Sequence, residues 1–119
     1  MQIFCNSAIV VSDNVAGTEL YLAPANQEVT IHNLYISNNS STDQVTVRVK
    51  LVKVSGSPMG GTTFATGFYI ASKDLPIDPL NTIELKPINL MSGDRVMISK
   101  IGTADVHAVA SILKEIKDF

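Results

Sequence analysis

Three aspartates, Asp74, Asp78 and Asp94, are the carboxylates of this sequence that most suggest chemistry. Paired carboxylates can carry out glycoside hydrolysis or hold a calcium ion, so these residues are candidates for chemistry. Asp78 precedes Pro79 and Asp94 follows Gly93, and aspartate favours such turns because its side chain accepts hydrogen bonds from nearby backbone N–H groups. The chain has no tryptophan to form a sugar-stacking platform. We therefore expect these aspartates to form turns and not a catalytic pair.

Nucleophilic catalysis or zinc binding would have to use Cys5, His32 and His107, the only cysteine and histidines of the chain. A nucleophile needs a base beside it that a third group orients, and no Gly-x-Ser-x-Gly or Cys-His signature surrounds these residues. Two histidines and one cysteine without ligand spacing do not build a zinc site. The sequence therefore predicts no catalytic residue, no metal site and no cofactor, and we expect a protein that is not an enzyme.

The composition is that of a single ordered domain spanning residues 1–119. Apolar residues make up 45% of the chain and charged residues 17%. The formal net charge of -2 provides no basic surface for nucleic acid or for an anionic membrane. No segment has the length of a membrane span or the basic start of a signal peptide, so we expect synthesis in the cytoplasm.

Turn-forming residues recur at short intervals, and the segments between them are rich in Val, Ile, Thr, Tyr and Phe. Apolar and polar residues alternate within several segments, most clearly in 44–51, as in a strand with one buried face. This pattern predicts an all-β, single-domain antiparallel β-sandwich, Ig-like or jelly-roll-like, with about eight strands. The predicted strands are 3–11, 18–23, 28–38, 44–54, 66–72, 82–87, 95–101 and 105–114. The C-terminal segment 105–119 also fits a helical stripe, but we favour a strand there.

In the predicted strands 28–38 and 44–54 the apolar residues change from one face to the other partway along. The loop 40–43 would join the two strands as a hairpin. A register that aligns the two changes pairs Ile36 with Val47, Leu34 with Val49, Ile31 with Val52 and Val29 with Val54. We call this pair of strands the ribbon. Its change of face is expected if the ribbon passes from one sheet into the other, or if a neighbouring subunit covers its outer face. The sequence leaves both possibilities open.

Seven apolar residues are candidates for contact with a partner. Four belong to the ribbon, where each aliphatic side chain left in water forgoes about 1.5 to 3 kcal/mol relative to full burial. Three belong to the segment that follows, where Met and Phe beside a flexible loop suit either core packing or docking. The candidates are Val29, Ile31, Val52, Val54, Met59, Phe64 and Phe68. We expect a homo-oligomer or a tight complex held by apolar and backbone contacts.

The order of these segments resembles that of the small β-sandwich virion proteins of tailed bacteriophages. The likeness covers residues 28–113 and rests on the ribbon, on the Pro-rich connection 75–79, and on a Leu-x-x-Gly-Asp turn. That turn is 90–94 here, and it leads to Val96 and Ile98 in a closing strand. Gly93 permits the tight backbone geometry and Asp94 caps it, so that the turn sets the register of two strands.

The resemblance implies a non-enzymatic virion component that binds phage capsid or tail structural proteins, with capsid decoration favoured over a neck, tail or baseplate position. It also implies that the chain ends up in the virion after synthesis in the host cytoplasm. The alternative is a carbohydrate- or receptor-binding β-sandwich, for which exposed aromatic side chains are expected. An aromatic content of 6% without tryptophan disfavours that alternative.

Overall fold

A computed structural model describes residues 2–12, 17–53, 66–71 and 73–116, and these residues form ten β-strands. The strands are β1 (Gln2–Val10), β2 (Thr18–Leu22), β3 (Gln27–Asn38), β4 (Val45–Lys53), β5 (Thr66–Tyr69), β6 (Leu75–Ile77), β7 (Thr82–Leu85), β8 (Ile88–Leu90), β9 (Arg95–Ile101) and β10 (Val106–Ile116). Nothing helical in this described part of the chain is long and apolar enough to cross a membrane.

Two antiparallel sheets pack face to face, which confirms the predicted all-β sandwich. Sheet A has the order β1-β10-β3-β7, and sheet B has the order β2-β9-β4-β5. Strands β7 and β8 pair one after the other with the same side of β3, and β5 and β6 pair in the same way with one side of β4. The ten strands therefore fill four strand positions in each sheet. Because most connections lead from one sheet to the other, the topology is jelly-roll-like and not Ig-like.

The core between the sheets is aliphatic. Strands β3, β4, β9 and β10 alternate buried and more exposed residues, as expected for strands with one face in a core. The largest side chains that are almost fully buried are Ile31, Leu34, Ile36, Ile77, Leu90, Ile98 and Ile112. Strand β10 places Ala108 and Ala110 opposite Ile36 and Leu34, so small residues accommodate large ones where the two strands pair.

Strands β3 and β4 do not form the predicted hairpin, because they lie in different sheets. Leu34 pairs with Ala110 and Leu85, whereas Val49 pairs with Ile98. The loop 39–44 therefore carries the chain from sheet A to sheet B. The prediction was wrong because any two strands with one apolar face can be aligned, so matching apolar residues does not identify which strands are neighbours.

The buried side chain of Asn38 anchors this crossing loop. Its Nδ2 donates hydrogen bonds to the carbonyl oxygens of Asp43 (2.7 Å) and Ile77 (3.0 Å). Its Oδ1 accepts a hydrogen bond from the backbone N–H of Ser40 at 2.9 Å. One amide thus ties the end of β3 to the crossing loop and to the end of β6.

The change of apolar face in β3 is a β-bulge. The register between β3 and β10 shifts by one residue, and His32 is the extra residue on the β3 side. Val29 and Ile31 before the bulge, and Leu34 after it, therefore face the same core and are at most 2% exposed. A bulge was not among the interpretations of the sequence, although two consecutive polar residues between apolar pairs are compatible with one.

Strand β4 contains no such bulge, since it pairs with β9 from Thr46 to Val52 without a register shift. Val52 therefore points to the outer side of sheet B, where it is half-buried. Val54 lies outside the described residues.

The turn between β8 and β9 has the predicted design. Gly93 has φ +86°, and the backbone N–H of Asp94 donates to the carbonyl of Met91 at 2.9 Å. The Asp94 carboxylate is fully buried and accepts hydrogen bonds from the Met91 backbone N–H (3.0 Å) and from Lys53 Nζ (2.9 Å). The Gly93 N–H donates to the carbonyl of Ala23 at 2.9 Å, so the turn also holds the chain just after β2.

In the C-terminal segment, residues 106–116 form a strand, as favoured from their alternation, and not a helix, while residues 117–119 lie outside the described part of the chain. This strand does not close an open edge, because β10 lies inside sheet A, between β1 and β3.

Two glycines with positive φ provide a prediction about stability. Gly17 (φ +94°) lies against β9, where an added Cβ would stand 3.0 Å from the backbone oxygen of Ile98. Gly102 (φ +117°) is less crowded, since the nearest atom to an added Cβ is Val45 Cγ2 at 4.0 Å, an ordinary van der Waals contact. Gly102→Ala is expected to destabilise the fold by about 1 to 2 kcal/mol, the cost of left-handed backbone for a residue with a Cβ. Gly17→Ala is expected to cost more, because the backbone of β9 must also move. Urea unfolding of both variants measures the difference, and equal losses would contradict this account of Gly17.

Candidate functional site

The three aspartates have structural partners, and each has a different one. Asp74 forms an ion pair with Arg48 Nε at 2.7 Å, and this hydrogen bond raises the pKa of the Arg48 guanidinium above its ordinary value. Asp78 accepts a hydrogen bond from Gln44 Nε2 at 2.8 Å and begins a turn in which Asn81 N–H donates to the Asp78 carbonyl. Asp94 is buried in its own turn with Met91 and Lys53. The three carboxylates are therefore held in place separately, as turn-forming and ion-pairing residues.

The histidines and the cysteine lie on three strands of sheet A. His32 occupies the bulge of β3 and is exposed beside a shallow hollow of about 280 Å³, and His107 Nε2 lies 3.2 Å from Asp105 Oδ2. Cys5 is half-buried on the core side of β1, whereas His107 is on the outer side of β10. Within the described ranges, no three His, Cys, Asp or Glu residues are grouped so that they could hold a metal ion.

The predicted interface residues do not form one surface. Val29 and Ile31 are buried inside the subunit (2% and 0% exposed), so the argument that they need a partner does not hold. Val52 is half-buried on sheet B. Phe68, on β5, is 54% exposed. The other three candidates, Val54, Met59 and Phe64, lie outside the described residues.

Exposed apolar side chains instead lie on the outer side of sheet A, on β1, β10 and β3, on both sides of a polar row formed by Asn6, Ser111 and Asn33. Four large apolar side chains stand in water there: Phe4 (75% exposed), Val10 (61%), Val109 (46%) and Tyr35 (42%). The strand register places Phe4 beside Leu113, and it places Val109 between Ala8 and Tyr35. We call the surface formed by Phe4, Ala8, Val10, Tyr35, Val109 and Leu113 the apolar face.

A hollow of about 190 Å³ opens in the apolar face beside Ala8. Val10, Val109 and His107 contribute to its lining, together with the backbone of β1 and β10. Ala8 is a small residue of this lining, and it lies opposite Val109 and two residues before Val10. The apolar face therefore has both a projecting side chain, Phe4, and a hollow.

The outer side of sheet B has a different chemistry, because charged side chains cover much of it. Arg48 pairs with Asp74, Arg95 lies 3.7 Å from Glu19, and Lys50 Nζ stands 5.3 Å from the centre of the Tyr69 ring. On β1, by contrast, the residues Gln2–Val10 include no charged side chain. The apolar face is thus a local feature of sheet A and not a general property of this surface.

The sequence contains a pattern that points to this surface, although the interface candidates predicted from the sequence do not include it. Both phases of the alternation are apolar in β1, as shown by Ile3 and Ile9 on one side and Phe4 and Val10 on the other. The same holds in β10, where Val106 and Val109 occupy opposite phases. A strand that is apolar on both sides needs cover on both sides, and this pattern in β1 and β10 points to the apolar face.

Comparison with known proteins gives a structural likeness alone. No protein-family model matches the chain, and no curated protein matches its sequence. Among solved structures, a subunit of the disulfide-linked pili that form Bacillus endospore appendages superposes with a TM-score of 0.53 and 12% identity. The alignment covers 99% of this chain and 88% of the other. At this identity the likeness shows that the two chains share a β-sandwich fold, and nothing more.

Proposed function

We propose that this chain is a non-enzymatic structural subunit of a larger protein assembly and that it docks through the apolar face. The observation that carries the proposal is the group of four large apolar side chains exposed on one side of sheet A. Full burial of such a side chain is worth about 1.5 to 3 kcal/mol, and since these side chains are 42% to 75% exposed, each would gain roughly half of that or more in an interface. Exposed apolar patches on soluble domains commonly mark interaction sites, and Ala8, Val10, Tyr35 and Val109 form such a patch here.

The assembly we propose is the virion of a tailed bacteriophage, with capsid or tail structural proteins as partners. The support is the sequence resemblance over residues 28–113, together with a fold whose turns hold strands and whose aspartates are tied to structural contacts. The endospore pilus subunit is itself part of a protein assembly, and its fold suits such a role.

A carbohydrate- or receptor-binding module is the second candidate. It is favoured by one observation that the composition did not suggest, namely that the edge strand β5 carries two exposed aromatic side chains, Phe68 (54% exposed) and Tyr69 (38% exposed), on opposite faces of sheet B. Exposed aromatic rings are the usual platform for a sugar. Lys50 already lies over the Tyr69 ring, so Phe68 is the aromatic side chain left to bind a sugar.

Incorporation into particles tests the proposal. Phe4→Ser combined with Val109→Ser is expected to abolish copurification of the tagged chain with particles from its source cells, because the interface loses two apolar anchors. Both side chains are already solvated, so the fold should survive. By the burial energies above, affinity should fall by about 100-fold. Ile101→Ser is the matched control, since Ile101 is 52% exposed on the outer side of sheet B.

The proposal is supported if the wild type and the control copurify with particles and the double variant does not. It fails if the wild type is absent from particles, or if the double variant enters them as well as the control does. A glycan array on the purified wild type distinguishes the second candidate, which predicts specific sugar binding that Phe68→Ala removes.

A further inference from the structure

The four edges of the two sheets differ in how well they are protected against pairing with another chain. Strand β2 has five residues and a register shift, and the β5/β6 and β7/β8 edges are each broken into two short strands. Short strands, bulges, prolines and charges are the usual means of blocking edge-to-edge pairing. Strand β1 has none of these: its nine residues contain no charge and no proline, and it pairs with β10 without a register shift.

The free edge of β1 offers regularly spaced hydrogen-bonding groups. The backbone N–H of Val11 donates to Val106 at 2.9 Å, which shows that the odd-numbered residues at this end point toward β10. Since backbone direction alternates along an antiparallel strand, the N–H and C=O groups of Gln2, Phe4, Asn6, Ala8 and Val10 point away from β10. None of the described strands pairs with that edge.

We propose that β1 pairs antiparallel with β1 of a second copy of this chain, so that two copies of sheet A become one continuous sheet. A two-fold axis at Asn6 is the arrangement that pairs all nine residues of β1. It places Gln2 opposite Val10 of the second copy and Phe4 opposite Ala8 of the second copy. The outward-pointing backbone groups of the five residues then face one another, and each facing pair can exchange two hydrogen bonds.

The side chains of the apolar face fit this register. Phe4, the most exposed large apolar residue of the described chain, lies opposite Ala8 of the second copy, next to the hollow of about 190 Å³. A large residue thus meets a small one, and the two-fold axis repeats the contact. The Asn6 side chains meet at the axis, where amide groups can donate and accept hydrogen bonds. The absence of charge from Gln2–Val10 removes the like-charge repulsion that identical surfaces otherwise create.

A second copy is the occupant that these features specify, because the projecting Phe4 and the receiving hollow lie on the same strand. This inference rests on the proposed function as an assembly subunit and names one of its contacts. It buries Phe4 and Val10, and it leaves Tyr35 and the far side of the apolar face for another component.

Sedimentation velocity of the purified wild type and of edge variants tests the pairing. The wild type is expected to dimerise at micromolar concentration. Asn6→Pro is expected to raise the dissociation constant by at least about 100-fold, because it removes an N–H at the axis and obstructs the edge. The substituted N–H points away from β10, so no hydrogen bond inside the subunit is lost. Ala8→Lys is expected to give the same result by filling the hollow with a charge, and Ile101→Lys on sheet B is the control.

An exchange of side chains tests the register itself. Phe4→Ala and Ala8→Phe are each expected to weaken the dimer, since one removes the projecting ring and the other fills the hollow. The double variant restores a large residue opposite a small one, and it is expected to dimerise more tightly than either single variant.

A wild type that is monomeric at tens of micromolar overturns the pairing, as does a dimer that Asn6→Pro and Ala8→Lys both leave intact. A double variant that is weaker than both single variants overturns the register. These results leave the proposed function to the particle experiment, because a chain that is monomeric alone can still enter particles through Val109 and Tyr35.

Discussion

Replacing Asn38 with alanine is expected to lower the free energy of unfolding by about 3 to 4 kcal/mol. The Asn38 side chain is 1% exposed and makes three hydrogen bonds, to Asp43, Ile77 and Ser40. Alanine leaves the buried Ile77 carbonyl without this partner, and it removes the part-buried bonds to Asp43 and Ser40. The loop that passes from sheet A to sheet B then loses its anchor. Denaturant unfolding followed by circular dichroism measures the loss.

Asn39→Ala is the matched control, because Asn39 is the exposed neighbour in the same loop. Its expected effect is within about 0.5 kcal/mol, the usual range for surface substitutions. If the two variants were equally stable, the side-chain hydrogen bonds of Asn38 would not be what holds the crossing.

The second large effect is expected at Asp94. Asp94→Ala removes both the cap on the Met91 N–H and the partner of Lys53, and we expect a loss of about 2 to 3 kcal/mol. This is less than for a fully buried ion pair, because the Lys53 side chain is 36% exposed and can turn to water. Asp94→Asn keeps a carbonyl oxygen for the Met91 N–H and is expected to lose less.

Thermal and urea unfolding of the two Asp94 variants give the comparison. A loss that is as large for asparagine as for alanine would mean that the negative charge, and not the cap, carries the effect. A negligible loss for both would contradict the role given to the buried carboxylate.

The strands were largely predictable from the sequence, whereas their pairing was not. Alternating segments such as 44–51 locate strands well, because the alternation of apolar and polar residues shows which side of the strand is buried. The short strands β6 and β8 were missed because three residues are too few to show a period, and each is a strand only through its pairing with β4 or β3. Pairing depends on contacts that are distant in sequence, which explains why β3 was assigned to β4 when its neighbours are β10, β7 and β8.

The turn residues could be interpreted locally, but the candidate surface could not. Gly93 and Asp94 act within a few residues of themselves, so turn chemistry was enough to assign them. The apolar face combines residues of β1, β3 and β10, which become neighbours only in the folded sheet. The β-bulge at His32 was mistaken for a change of buried face. One extra residue shifts the phase of the apolar residues, and the same pattern occurs in a strand whose two halves bury opposite faces.

Amide hydrogen exchange along β1, measured by NMR at a concentration where the wild type is associated, tests the central claim most directly. That claim is that this chain is an assembly subunit that associates along the free edge of β1 beside the apolar face. It predicts that the amides of Phe4 and Ala8, which point away from β10, are protected as strongly as those of Cys5 and Ser7, which point toward it. In Asn6→Pro, only Cys5 and Ser7 should stay protected. Rapid exchange of Phe4 and Ala8 in the wild type beside protected Cys5 and Ser7 would contradict the claim.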